Sequence, residues 1–228
     1  MGGGSENGFG RAKKGLNLSS EVAQNCFQAS DIKEVKMYDF GRSFISIYGN
    51  AKTKEITAEA NRKLEMFEPS DGVPCVFWGM TPACPQNHLK LTGSDFVHYA
   101  FGEWGDENQL CFKSSTTIPE KLENHLVWFY SKVDPNVLLV NEYDSEQGSF
   151  VGVRFKVVEN GKIRTYGRHR VVNEDVVFEI DEDSMFEQIT WEQLWDMQHD
   201  LARDAVNELV TDFPRLKNLP EISYWLKS

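Results

Sequence analysis

The stretch that decides the fold is residues 148–172, GSFVGVRFKVVENGKIRTYGRHRVV, in which two alternating runs of apolar and polar residues flank Glu-Asn-Gly. Alternation with a period of two is typical of strands that bury one face, and a short glycine-containing segment between two such runs indicates a hairpin. A three-residue loop at 159–161 would pair Lys156 with Arg164, so that charged and apolar side chains keep separate faces. The sequence therefore predicts a β-hairpin with that loop.

In this register, one face of the hairpin is strongly basic. Like charges on neighbouring strands repel one another, so compensation by acids within the protein or by an anionic ligand is expected. The face would carry six bases and a tyrosine: Arg154, Lys156, Lys162, Arg164, Tyr166, Arg168 and Arg170.

The segments around the hairpin alternate between strand and helix patterns. A helix has Pro119 in its first turn and ends before Pro135, and a long helix ends before Pro214, because proline is tolerated in a first turn but does not continue a helix. By contrast, residues 68–88 are rich in Pro and Gly and predict an irregular segment with a short strand at 75–78. The main predicted elements are a strand at 108–113, a helix at 118–132, strands at 136–143, 149–158 and 162–171, and a helix at 191–213.

This order predicts an α+β fold in two layers, a mostly antiparallel sheet with helices on one face and a ferredoxin-like core. Residues 1–16 are rich in Gly, Lys and Ser, which is typical of a flexible N-terminal tail. The α+β domain is predicted at 17–228, with an alternative division into an N-terminal subdomain at 17–95 and the ferredoxin-like core at 96–228.

Negative charge is concentrated near the C-terminus. The 228 residues have a formal net charge of −11, and residues 171–212 contain thirteen acids and one base, Arg203. In the predicted long helix an acid recurs at every fourth position, which aligns the carboxylates in a slanting band beside the apolar stripe. Three interpretations stay open: a solvated face, a face paired with the basic hairpin, and a docking surface. The candidate docking residues are Glu179, Asp181, Glu182, Asp183, Glu192, Asp196, Asp200, Asp204, Glu208 and Asp212.

Evidence for catalysis or a metal is weak. The spacing of Cys75, Cys84 and His88 is wider than in structural zinc sites and supplies no fourth ligand. An enzyme would need a pocket that collects His98, Glu103 or Cys84 with shifted pKa values. The motifs of serine hydrolases, zinc proteases and phosphate loops do not occur in the sequence. We therefore predict no catalytic residue, no metal and no cofactor.

The segment 118–163, IPEKLENHLVWFYSKVDPNVLLVNEYDSEQGSFVGVRFKVVENGKI, resembles the C-terminal ferredoxin-like domain of YubB-like proteins, which conjugative plasmids and phages carry. The shared pattern is a helix started by proline, an Asp-Pro break, a strand ending in Tyr, an acid and Gly, then Phe-x-Gly and a glycine turn. FGEWGD at 101–106 is similar to the Gly-Trp segment that precedes this domain. The resemblance implies a mobile-element protein in a bacterial cytoplasm and transfers no catalytic residue.

Together these features predict a non-enzymatic phage or plasmid protein whose acidic helix binds a basic host or defence protein. It would act as an inhibitor or as a mimic of nucleic-acid charge, and a nucleic-acid-processing complex is a natural target. The alternative is a nucleic-acid-binding module, in which Tyr166 stacks on a base and the basic hairpin face contacts phosphates. The sequence contains no apolar run long enough to span a membrane, a length of about 18 residues, and no secretion signal core, so we expect a cytoplasmic protein without membrane contact.

Overall fold

The computed structural model describes residues 40–67, 69–80, 88–94, 97–100, 109–115, 119–146, 148–172 and 191–227. The predicted tail at 1–16 and the acidic residues Glu179, Asp181, Glu182 and Asp183 lie outside the described residues. The strands are β1 (Gly41–Tyr48), β2 (Val97–Tyr99), β3 (Gln109–Ser114), β4 (Leu138–Ser145), β5 (Phe150–Glu159) and β6 (Lys162–Val171). The helices are α1 (Ala51–Leu64), α2 (Pro69–Trp78), α3 (His88–Thr92), α4 (Glu120–Ser131), α5 (Trp191–Asp212) and α6 (Pro220–Lys227), with a 3-10 turn at Pro214–Asn218.

The strands form one six-stranded sheet in the order β2-β3-β1-β4-β5-β6, and every neighbouring pair is antiparallel. Helices connect β1 to β2 and β3 to β4, and in each case one other strand lies between the connected strands. The predicted α+β class with an antiparallel sheet is confirmed. The more specific ferredoxin-like plan stays a prediction.

Helices cover both faces of the sheet, so the predicted two-layer arrangement with helices on one face is wrong. α1, α2 and α4 pack on the face that carries Ile45 and Leu139. α5 and α6 pack on the opposite face, against Leu138, Phe155 and their neighbours. Successive side chains of a strand point to opposite faces, and the consecutive buried apolar residues Leu138, Leu139 and Val140 show why both faces of β4 need a cover.

The hairpin turn has two residues instead of the predicted three. Asn160 and Gly161 both have positive φ, 49° and 71°, as a type I′ turn requires, and Asn-Gly is the preferred sequence for that turn. Val157 consequently lies opposite Arg164, and Glu159 lies opposite Lys162. The predicted three-residue loop is wrong because the preferred geometry of the Asn-Gly turn determines how β5 pairs with β6. The separation of charged from apolar side chains does not determine this pairing.

The two-residue turn divides the predicted basic face between the two faces of the sheet. Residues directly opposite one another in an antiparallel pair point to the same face. Arg154 and Lys156 therefore face α4. The other members face α5 together with Val153 and Val157: Lys162, Arg164, Tyr166, Arg168 and Arg170.

Candidate functional site

The six acids of α5 form a continuous exposed band, which we call the acidic band. The opposite side of the helix is apolar and buried, and it includes small residues, Ala202 and Ala205, that let the helix approach the sheet closely. This burial positions the carboxylates on the outer side of the helix. The acidic band consists of Glu192, Asp196, Asp200, Asp204, Glu208 and Asp212, all of which are exposed.

The C-terminal part of the acidic band is compensated by the hairpin. Arg168 on β6 forms an ion pair with Glu208. The Tyr166 hydroxyl donates a hydrogen bond of 2.6 Å to Asp212 Oδ2. Burial is the main cause, and this hydrogen bond to a carboxylate the second cause, of the rise in the pKa of Tyr166 to about 12. The interpretation of the band as a partner of the basic hairpin therefore holds for these two acids.

The N-terminal part of the acidic band faces solvent. Asp200 pairs with Arg203 of the same helix. Within the described part of the chain, Glu192, Asp196 and Asp204 form no ion pair or side-chain hydrogen bond. Carboxylates spaced four apart on a helix repel one another, so these acids present a negative surface that a cationic partner would stabilise.

Arg154 and Lys156 belong to an internal network instead of an open basic surface. Arg154 Nη1 donates to both carboxylate oxygens of Glu123 at 3.1 Å, and Lys156 Nζ lies 3.0 Å from Glu123 Oε2. The side chains of Lys156 and Glu123 are both 0% exposed. Asn141 Nδ2 donates to Glu123 at 2.6 Å. This network docks α4 on the sheet and leaves neither base available to a phosphate.

The remaining basic residues of the hairpin share one face of β6, but two of them are already paired with acids. Arg164 Nε lies 3.4 Å from Glu159 Oε2, and Arg168 is the partner of Glu208. Lys162 and Arg170 are exposed at opposite ends of β6 and form no ion pair with another described residue. The seven predicted nucleic-acid-binding residues are therefore not gathered into one surface.

A groove that sequence analysis missed lies beside the N-terminal half of α5. It consists of two adjoining cavities of about 420 Å³ and about 600 Å³, which share Glu142, Trp195 and Gln198. We call the first cavity the aromatic groove; its other lining residues are Tyr48, His199, Tyr224 and Trp225. The second cavity is lined in addition by Arg42, Phe44, Gln109 and Asp144.

The aromatic groove contains a carboxylate in an apolar setting. Glu142 lies on β4 opposite Phe44 and Val153, and burial raises its pKa to about 7. Its carboxylate forms no hydrogen bond or ion pair with another described residue. Nearby, Arg42 Nε donates to Asp144 Oδ1 at 2.7 Å, so these two charges neutralise one another and leave Glu142 without a counter-ion.

The aromatic rings around this carboxylate stand at steep angles to one another. His199 and Tyr224 have ring centroids 5.4 Å apart and an interplanar angle of 84°. Tyr224 and Trp225 are 5.2 Å apart at 77°. Trp195 and Tyr224 are 64% and 62% exposed, which is unusual for large apolar side chains. The signal in the sequence was Trp195, which lies off the buried stripe of its helix.

The other residues considered for chemistry are not brought together. Cys75 is half-buried in α2, and His98 is half-buried in β2. Cys84, Glu103 and the side chain of His88 lie outside the described residues. Among the side chains that the structure describes, no group of three His, Cys, Asp or Glu residues is placed to hold a metal ion.

None of the described helices has the length and apolar character needed to cross a membrane. Comparisons of this chain with protein-family models, with curated proteins and with solved structures found no match. The resemblance to YubB-like proteins therefore stays a prediction from the sequence.

Proposed function

We propose that the chain is a non-enzymatic binding protein of a phage or plasmid, which docks on a basic host or defence protein through the part of its acidic band from Glu192 to Asp204. The observation that carries this proposal is the uneven compensation of the band. Hairpin side chains pair with Glu208 and Asp212, whereas Glu192, Asp196 and Asp204 have no such partner among the described residues.

The uneven compensation confines the proposed docking surface to the acids that precede Glu208. One ion pair and one hydrogen bond with the hairpin hold the C-terminal end of α5 on the sheet, so the acids without partners are presented from a fixed helix. A rigid row of charges loses little conformational freedom when a partner binds. Such a row attracts a positively charged groove over a distance of about a Debye length, roughly 10 Å at 0.1 M salt.

The chemistry of the partner follows from the charge. A surface that presents regularly spaced carboxylates is complementary to the lysines and arginines with which proteins bind nucleic-acid phosphates. A nucleic-acid-processing host or defence protein therefore suits the acidic band, and occupation of its basic groove would inhibit it. The resemblance to proteins of plasmids and phages supports the mobile-element setting and a bacterial cytoplasm.

The experiment is capture of proteins from a nuclease-treated bacterial lysate by the immobilised chain, at about 0.05 M and about 0.3 M salt. The test variant carries Asp196→Lys, Asp200→Lys and Asp204→Lys. Its matched control carries Glu55→Lys, Glu59→Lys and Glu65→Lys, which make the same change in net charge on α1 and at its C-cap.

We expect basic proteins to be captured at low salt, lost at high salt, lost with the α5 variant and retained by the α1 control. Equal capture by the two variants would contradict the proposal. A gel shift with single-stranded and double-stranded nucleic acid at low salt, with Arg164→Glu and Arg168→Glu as variants, tests the alternative. Binding that these substitutions abolish would favour a nucleic-acid-binding module.

A further inference from the structure

We propose that the aromatic groove binds the terminal cation of a lysine or arginine side chain of the partner protein, with Glu142 as its counter-ion and the rings of Trp195 and Tyr224 as its walls. This inference rests on the proposed docking of α5 on a basic protein. It adds a specific anchor site to a surface that is otherwise defined by charge alone.

The geometry of the rings fits a cation. The faces of tryptophan and tyrosine attract positive charge, and rings that meet at steep angles can surround a cation on several sides. His199, Tyr224 and Trp225 form such a corner, with the His199 and Trp225 centroids 4.8 Å apart at 46° and the Tyr224 and Trp225 rings at 77°. Trp195, four residues before His199 on α5, lines the same cavity.

The charge at the base of the groove points to the same ligand. A carboxylate in a largely apolar site is costly unless it is paired, and Glu142 has no pairing partner among the described residues. Arg42, the cation of the adjoining cavity, is already bound to Asp144. An anionic ligand would be repelled by Glu142, whereas an ammonium or guanidinium group would supply the missing counter-ion.

The groove has room for a lysine or arginine side chain. A cavity of about 420 Å³ lies at the small end of the range for ligand sites, roughly 300–1,000 Å³. The aliphatic stem of lysine or arginine can lie along apolar walls while its charged end reaches a polar group. The exposed rings of Trp195 and Tyr224 would line the entrance and cover that stem.

The position of the groove connects it to the acidic band. On a helix, residues three apart are neighbours on the surface. Trp195 is therefore a neighbour of Glu192, and His199 is a neighbour of Asp196. A basic segment that lies along Glu192 and Asp196 would bring a further lysine or arginine to the entrance of the groove.

The test uses the full chain and two model compounds, N-acetyl-lysine methylamide and its uncharged counterpart N-acetyl-norleucine methylamide. Binding is followed by NMR through the indole N–H signals of the tryptophans, with Trp195 assigned from a Trp195→Phe variant. We expect the lysine compound to shift the signals of Trp195 and Trp225, and the norleucine compound to bind roughly tenfold more weakly or not at all.

Glu142→Gln retains the shape of the side chain and removes its charge. We expect this variant to lose roughly tenfold in affinity for the lysine compound, with little change for the norleucine compound. Trp195→Ala, at an exposed position, should also weaken lysine binding without unfolding the protein. Equal binding of the two compounds, unchanged affinity in Glu142→Gln, shifts confined to other tryptophans, or no shift at all would overturn the inference.

The two proposals fail in different ways. The variant with lysines at positions 196, 200 and 204 should lose capture of basic proteins and still respond to the lysine compound at Trp195. If Glu142→Gln binds the lysine compound as the wild type does, the anchor site is wrong, and capture by the acidic band can still succeed. If capture survives reversal of the acidic band, the docking proposal is wrong whatever the titration shows.

Discussion

The hydroxyl of Tyr166 donates a hydrogen bond of 2.6 Å to the carboxylate of Asp212, which joins β6 to the C-terminal end of α5. One turn earlier on the helix, Arg168 of the same strand pairs with Glu208. These contacts exist because the two-residue turn directs the side chains of β6 toward α5. These contacts fix the C-terminal end of α5 against the hairpin. The acids that precede Glu208 on the helix keep their charge exposed.

The Tyr166–Asp212 hydrogen bond should make a measurable contribution to stability. We expect Tyr166→Phe and Asp212→Asn each to lower the free energy of unfolding, with a coupling between them of about 0.5–1.5 kcal/mol in a double-mutant cycle. Urea denaturation measures each value. The pair Tyr166→Phe with Asp204→Asn is the control, because no contact joins Asp204 to Tyr166 among the described residues, and it should be additive. A coupling near zero for Tyr166 with Asp212 would mean that the hydrogen bond is not formed in solution.

The buried network of α4 depends on Glu123, whose carboxylate accepts from Arg154 and lies against Lys156. Glu123→Ala removes the buried counter-ion of Lys156 and leaves only the exposed Glu120, 3.6 Å from the ammonium, so we expect a loss of about 3–5 kcal/mol in the free energy of unfolding. The comparison is Glu120→Ala, which removes the exposed carboxylate of the same network; because that carboxylate is 61% exposed and lies 3.6 Å from the ammonium, its loss should cost less than about 1 kcal/mol.

Replacing the network by apolar side chains provides a second test. The double variant Glu123→Leu and Lys156→Met removes both charges that are fully buried, and it should recover most of the stability that Glu123→Ala loses. Arg154 can keep contact with Glu120, which is 3.9 Å away. If the double variant is as unstable as Glu123→Ala, the cost arises from lost packing and not from an uncompensated charge.

The turn of the hairpin requires a residue that tolerates positive φ at position 161, where φ is 71°. Gly161→Ala should destabilise the protein by about 1–2 kcal/mol, because a side chain disfavours the left-handed region. Asn160→Gly retains that freedom at the preceding position and should change stability by less than about 1 kcal/mol. Thermal unfolding of both variants measures the difference, and an equal effect of the two substitutions would argue against the two-residue turn.

The carboxyl group of Glu142 should make stability depend on pH. Burial raises its pKa from 4.5 to about 7 in the folded protein. The folded state therefore holds a proton that the unfolded state has lost between these values, and stability falls as the pH rises through that window. Glu142→Gln removes the penalty, so its advantage over the wild type should grow by about 1–3 kcal/mol between pH 4.5 and pH 7. Denaturation curves at several pH values measure this, and a constant difference would show that Glu142 titrates normally.

The sequence was sufficient for the strands and for the long helix. Alternation in β5 and β6 and the periodicity of α5 predicted these elements to within one or two residues, because both repeats are visible in the local sequence. It was insufficient for the turn. Separating charge from apolar residues favoured a three-residue loop, whereas the Asn160-Gly161 preference for positive φ favoured two residues. The two-residue turn is stable because it places the bases of β6 beside the acids of α5, which are distant in sequence.

Two other features depended on tertiary contacts that local patterns do not contain. Residues 75–78 were predicted as a strand in an irregular segment, but they form the end of α2, where Val73 and Phe77 pack into the core despite Pro74. The aromatic groove brings together β1, β4, α5 and α6. Glu142 looked like an ordinary polar residue of an alternating strand, and only the packing of α5 and α6 beside it makes its environment apolar.

The rate of association between this chain and a purified basic protein that it captures tests the central claim most directly. Electrostatic steering depends on charge at the surface more than on close contact. Reversal of Asp196, Asp200 and Asp204 should therefore lower the association rate by at least about tenfold at low salt, and the effect should shrink as salt is added. The α1 control should retain the wild-type rate. Equal association rates for wild type and α5 variant at low salt would contradict the claim that the acids from Glu192 to Asp204 form the docking surface.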